Sequence, residues 1–220
     1  MLQMGNVHSH GRFVHFYFNG TYQGLYYLRE RMDADFMKRY FGGEEEEYEA
    51  INGAGGGNLG GNWEFGTPYD GTGNMWSAMV SKSNKFDDWK NYINTNSYFD
   101  FKLTFMWGNH ENEMKACGNI TDPTQFIFRA NDADGIFTFF ESHRGVNVDR
   151  TDVYGEGSHN LAVHGDMLKN LYSEGDSDFF MAFADRAECN CFNDGPLSPN
   201  KITEKINEIY DEIELSLIHI

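Results

Sequence analysis

Residues 14–43 read VHFYFNGTYQGLYYLRERMDADFMKRYFGG. Two β-branched and aromatic runs, residues 12–18 and 21–28, are joined by Asn19-Gly20, a dipeptide that tolerates the positive φ angles of a type I′ turn. The pattern predicts a β-hairpin. Asp33 then stands where an N-cap belongs, and Phe36, Met37, Tyr40 and Phe41 recur at helical spacing until Gly42-Gly43 ends the run. A short amphipathic helix is therefore expected directly after the hairpin.

Downstream, eleven of the 33 residues from 42 to 74 are glycine, and the stretch includes the acidic run at 44–47. It reads as a loop or insertion, the least ordered internal region of the chain. Helices are expected over 86–93 and again from Ser97, whose Ser97-x-x-Asp100 has the form of a capping box before the apolar run FKLTFMW. That second helix is expected to be the buried central one. Residues 125–129 and 136–140 read as strands flanking Ala130-Asn131-Asp132-Ala133-Asp134-Gly135. Helical patterns then cover about 158–172, 178–192 and 199–214, the last with Ile202, Ile206, Ile209 and Ile213 on one stripe. The fold class is α+β, a hairpin packed on a mostly helical lobe.

With 17 basic and 34 acidic residues the 220-residue chain carries a formal net charge of −17. Such a field repels nucleic-acid phosphate and anionic lipid, and no run of basic residues offsets it. Nucleic acid is thus excluded as an expected partner. No apolar stretch approaches the roughly 18–20 residues of a membrane span, and no basic-then-apolar segment opens the chain. Cys117, Cys189 and Cys191 form neither a disulfide framework nor a four-ligand zinc site. The eight histidines are scattered, without a helical H-E-x-x-H, and no G-x-S-x-G elbow supports a hydrolase.

The loop at 130–135 concentrates the chemistry. Asp132 and Asp134 follow a strand at a turn, where short carboxylates either close an Asx-rich turn or converge on one hard cation. For calcium, Asp132, Asp134, Gly135 and Glu141 fall at positions 3, 5, 6 and 12 of an EF-hand, but position 1 is Ala130 and the flanks read as strands. Magnesium therefore ranks above calcium.

The hairpin-and-helix stretch, followed by YEAINGA, YFDFKLTFMWGN, ANDADG and FADRAECNCFNDGPLSP in that order, resembles the spore-coat protein H (CotH) kinase-like family. Asn19, Gly20, Tyr22, Gly24, Tyr26, Leu28, Glu30 and Asp33 carry its most recognisable segment. The resemblance implies a protein-kinase-like fold in which the hairpin is a remnant of the N-lobe, and an atypical kinase that uses ATP and Mg²⁺ to phosphorylate Ser/Thr of an extracellular or spore-coat protein. Under it, residues 27–30, with Tyr27, Leu28 and Glu30, form the hinge that touches adenine. Asp132 and Asp134 hold the metal, with Asp132 counted as catalytic as well, and they face a cleft under that hinge. Glu111, in Asn109-His110-Glu111-Asn112-Glu113, stands where the family commonly has an Asp that orients the acceptor hydroxyl. Asn112 or Asn119 adds a metal ligand. The family's glycine-rich segment and lysine are expected upstream of Met1, so the chain reads as a fragment with one domain over 1–214. Residues 215–220, LSLIHI, resemble a translated sequencing adapter. The alternative function is a non-catalytic kinase-like module for surface adhesion or assembly.

Overall fold

The computed structural model describes residues 2–53, 67–80, 85–108, 114–122, 126–130, 168 and 171–218. The hairpin forms as expected, with β1 Gly11–Phe18 antiparallel to β2 Thr21–Arg29. Asn19 at φ 48° and Gly20 at φ 79° make the turn, which is why this dipeptide and not a β-branched pair joins the strands. The hairpin does not enter the core. Phe16, Tyr17, Phe18, Tyr26, Tyr27 and Leu28 are all exposed, and the rings pair across the strands instead, Phe13 with Tyr27 at 5.0 Å and Phe16 with Tyr26 at 5.3 Å. Helix α1, Ala34–Phe41, starts where the Asp33 side chain accepts from the Phe36 N–H, and it stops at Gly42, φ 82°.

The glycine-rich stretch is not a plain loop. It contains β3 Tyr48–Gly53 and β4 Thr67–Asp70, which join β5 Met114–Asn119 and β6 Ile127–Ala130 in an antiparallel sheet of order β4-β3-β5-β6. Residues 54–66 lie outside the described part. Beyond the hairpin the protein is thus built around a four-stranded sheet, not around helices alone. Its side chains alternate as a pleat requires. Tyr48, Ala50, Cys117 and Ile127 face α1, with Met32, Phe36 and Met37 completing that cluster. Ile51, Ala116 and Phe128 face the other way, into the larger aromatic core. Burial pushes the Cys117 thiol up to about 12.

The larger core is covered by α2 Asn74–Val80, α3 Phe86–Trp89, α4 Thr95–Gly108 and α5 Ser177–Cys191. The expected 86–93 helix is shorter, its end becoming a turn that still buries Ile93. Helix α4 is the buried central element, but Ser97 and Asp100 do not cap it. Asn94 does so, its Oδ1 accepting from the Ser97 N–H at 3.0 Å. Ser97, one turn inside, accepts from the Phe128 N–H at 2.8 Å and donates to its carbonyl, tying the helix to β6. Asp100 is fully buried and accepts from Arg186 Nε at 2.6 Å, Arg186 Nη2 at 2.5 Å, Asn190 Nδ2 at 2.7 Å and Asn6 Nδ2. Arg186 also donates to the Met4 carbonyl at 2.5 Å. One carboxylate thereby joins α4, α5 and the N-terminal segment.

Helix α5 is capped by Asp176, which accepts from the N–H groups of Asp178 and Phe179. Helix α6, Pro199–Ile218, is longer than the expected 199–214, and its isoleucine stripe is covered in part, Ile202 and Ile213 being half-buried while Ile206 is 57% and Ile209 39% exposed. The last turn touches the hairpin, where Ser216 Oγ lies 3.1 Å from His15 Nε2. The expected strand at 136–140, and all of the expected helix at 158–172 save Leu168, Leu171 and Tyr172, lie outside the described residues. No described helix is long and apolar enough to cross a membrane.

Candidate functional site

Strands β5 and β6 end on one register pair, Met114 opposite Ala130. Glu111, Asn112, Asp132 and Asp134 lie outside the described residues, but their distance along the chain from this pair is short. Glu111 and Asn112 come three and two positions before Met114, and Asp132 and Asp134 two and four positions after Ala130. Both candidate segments therefore leave the sheet at the same end. Asn119 does not share it. It closes the opposite end of β5, roughly 17 Å away at about 3.4 Å per residue, and its Oδ1 accepts from Thr121 N, Thr121 Oγ1 and Asp122 N. Those three bonds make it the pivot of a local turn. Among the described residues no group of three or more His, Cys, Asp or Glu side chains could hold a metal ion.

The exit of the hairpin supplies a second set of groups. An open groove of about 430 Å³ is lined by His10, Gly11, Arg12, Leu28, Arg29 and Glu30. Of the three expected hinge residues, Leu28 and Glu30 line it, whereas the Tyr27 ring packs at a tilt against Phe13. Glu30 is committed to the protein itself. Its Oε2 accepts from the His10 N–H at 3.0 Å and the Tyr40 hydroxyl at 2.9 Å, and its Oε1 from Arg39 at 3.1 Å. The His10 backbone N–H, with Tyr40 and the His10 ring, holds the Glu30 carboxyl below its ordinary value of 4.5. A carboxyl depressed in the folded state contributes stability that is present above the unfolded value and lost as pH falls through the folded one. Glu30→Gln should therefore lower the urea midpoint at neutral pH, and the gap from wild type should close as pH falls below 4.5.

The two sets meet at Arg129. This residue precedes Ala130 on β6, is 8% exposed, and donates through Nη1 to Ser9 Oγ at 2.5 Å, next to His10 of the groove. Arg29 and Tyr27 of β2 act on it electrostatically. The end of β6 that leads to Asp132 and the end of the hairpin that leads to Glu30 are thus neighbours. Residues 1–116, more than half of the chain, match the family described as CotH kinase protein. The chain belongs to that family. In CotH terms the matched part runs from the hairpin through α4 and ends within β5, so it stops short of β6 and of the segments ANDADG and FADR. No curated protein and no solved structure matches the chain. CotH membership points to a kinase-like function and, in general terms, to nucleotide and metal use.

The sequence reading missed the basic groups of this region. No basic run exists, yet Arg31 places its Cζ 5.3 Å from the Tyr69 ring centroid and Lys115 its Nζ 5.0 Å from the same centroid. Lys115 is the register partner of Arg129. Four residues from three separate stretches, Arg29, Arg31, Lys115 and Arg129, make a local cationic region that a linear search for charge cannot find. The available signal was alternation alone, since Lys115 and Cys117, and likewise Ile127 and Arg129, must share a face once both runs are strands.

Proposed function

We propose that this chain is part of an atypical protein kinase that transfers the γ-phosphoryl group of ATP to Ser or Thr of an extracellular or spore-coat protein. The observation that carries the proposal is the Met114–Ala130 register pair, from which Glu111 and the Asp132/Asp134 segment continue, next to the hairpin exit. Family membership supports the reaction class. Asp132 and Asp134 offer the hard oxygen donors that Mg²⁺ prefers, and the ion, when bound, neutralises charge on the phosphates. Glu111 orients the acceptor hydroxyl and takes its proton as the oxygen bonds to the γ-phosphorus and the bond to the β-phosphate oxygen breaks, with ADP leaving. Leu28 and the groove beside it receive the base.

Glu111→Gln separates the roles. It leaves the metal-binding carboxylates in place, so calorimetry should show Mg²⁺-dependent ATP binding like that of wild type while transfer to a Ser/Thr substrate falls. ATP binding indifferent to Mg²⁺, or full transfer by Glu111→Gln, would refute this assignment. The second reading, a non-catalytic module for surface assembly, is favoured by the exposed rings of Phe16, Tyr17 and Phe18 at the hairpin tip. It takes precedence if the protein made from its complete reading frame binds no nucleotide.

A further inference from the structure

Arg129 is a buried charged group that no described residue neutralises. The residue is 8% exposed, and its guanidinium donates to a neutral hydroxyl, Ser9 Oγ. Among the described residues no carboxylate lies within ion-pair distance of it. The groups around it do not help. Lys115 stands directly opposite on β5, Arg31 shares the Tyr69 ring with Lys115, and Arg29 repels it from β2. Tyr69 and Cys117 are nearby, but burial raises both above their ordinary range, so at neutral pH they carry no negative charge. His8 adds a ring whose Nδ1 is buried without a partner. The acidic side chains of this region are engaged elsewhere. Asp33 caps α1 and lies 3.6 Å from Arg31 Nε, while Asp70 accepts from the Ala34 N–H.

Buried charges are costly unless paired, and like charges opposite each other on neighbouring strands are destabilising. Here a buried guanidinium has no carboxylate partner among the described residues, and a lysine is its register partner on the neighbouring strand. A guanidinium so placed presents a rigid fork of donors suited to a tetrahedral oxyanion. We propose that Arg129, flanked by Lys115 and Arg31, anchors a phosphate oxyanion. The assignment deepens the phosphoryl-transfer proposal, since Asp132 follows Arg129 by three positions. The oxyanion has two possible sources with the same chemistry, the phosphate chain of the nucleotide and a phosphoserine already present on the protein substrate.

Thermal unfolding of the full chain with increasing pyrophosphate tests the proposal. Wild type should be stabilised in a saturable way. Arg129→Gln, whose amide can still donate to Ser9, should melt no lower than wild type without ligand and should lose the pyrophosphate shift. Equal shifts in the two proteins, or no shift in wild type, would overturn the assignment, as would a lower ligand-free melting point in a variant that keeps the shift. If Arg129→Gln fails to fold, Arg129→Lys keeps the charge without the fork and should weaken pyrophosphate binding about tenfold. Unchanged affinity there would also overturn it. Competition identifies the source: displacement by ATP with Mg²⁺ assigns the site to the nucleotide, and displacement by O-phosphoserine alone assigns it to the substrate. If pyrophosphate binds through Arg129 but no phosphoryl transfer is found in the complete protein, the kinase proposal fails and the anion site stands. If transfer occurs and Arg129→Gln binds pyrophosphate normally, the reverse holds.

Discussion

Replacing Asp100 by alanine is expected to destabilise the protein by about 3–5 kcal/mol, the usual result of removing one partner from a buried ion pair. The carboxylate is fully buried and takes bonds from Arg186, Asn190 and Asn6, so its loss leaves a guanidinium and two amides without their acceptor at the junction of three segments. Arg186→Ala should cost less than Asp100→Ala, because it strands one carboxylate that still accepts from Asn190 and Asn6. Urea denaturation of both variants and of the double variant gives the coupling directly. Additive single effects would show that Asp100 and Arg186 act independently and that the network does not hold α4 to α5.

Asp132→Asn and Asp134→Asn are expected to lower phosphoryl transfer on the order of a hundredfold or more, the scale on which a single electrostatic stabiliser of a transition state is felt. Each change removes a negative charge from the oxygen site proposed to hold the cation that bridges to the phosphates, while keeping the size of the side chain. The urea midpoint should stay near that of wild type. A fall in activity accompanied by an equal fall in stability would instead mark the segment as structural.

The parts of the fold that were legible in the sequence are those whose signals are local. Asn19-Gly20, the Asp33 cap and the Gly42 stop act over three or four residues, and β1, β2 and α1 follow them almost to the residue. Strand β3 was hidden because its short run, YEAI, is embedded among glycines. Its place in the middle of the sheet depends on β4 and β5, which lie 14 and 61 residues beyond its own end at Gly53. Ser97 and Asp100 imitated a capping box because polar residues before an apolar run have that form. Only tertiary contact turns them inward, toward Phe128 and Arg186. The sequence predicts a hairpin packed on the lobe, whereas its exposed rings pair with each other across the two strands without a third layer.

The candidate site was legible to a different extent. The carboxylates of the 130–135 segment are visible as a motif, and the register that pairs Met114 with Ala130 is a property of the folded sheet. The commitment of Glu30 to His10, Arg39 and Tyr40 was not visible, since it requires the N-terminal segment to run back along α1. Arg129 carries no motif at all. Its significance comes from burial and from the neighbours that three distant stretches bring to it.

The central claim is that the end of the β5–β6 pair carries phosphoryl-transfer chemistry, and the most direct measurement is label transfer. Protein made from the complete reading frame is incubated with γ-labelled ATP and a Ser/Thr-rich acceptor protein, with Mg²⁺ or with a chelator, and the acceptor is hydrolysed to identify the labelled amino acid. The expected result is label on phosphoserine or phosphothreonine that requires Mg²⁺ and is lost in Asp132→Asn and Asp134→Asn. The claim is contradicted if wild-type protein binds ATP yet transfers no label, or if both variants transfer as well as wild type.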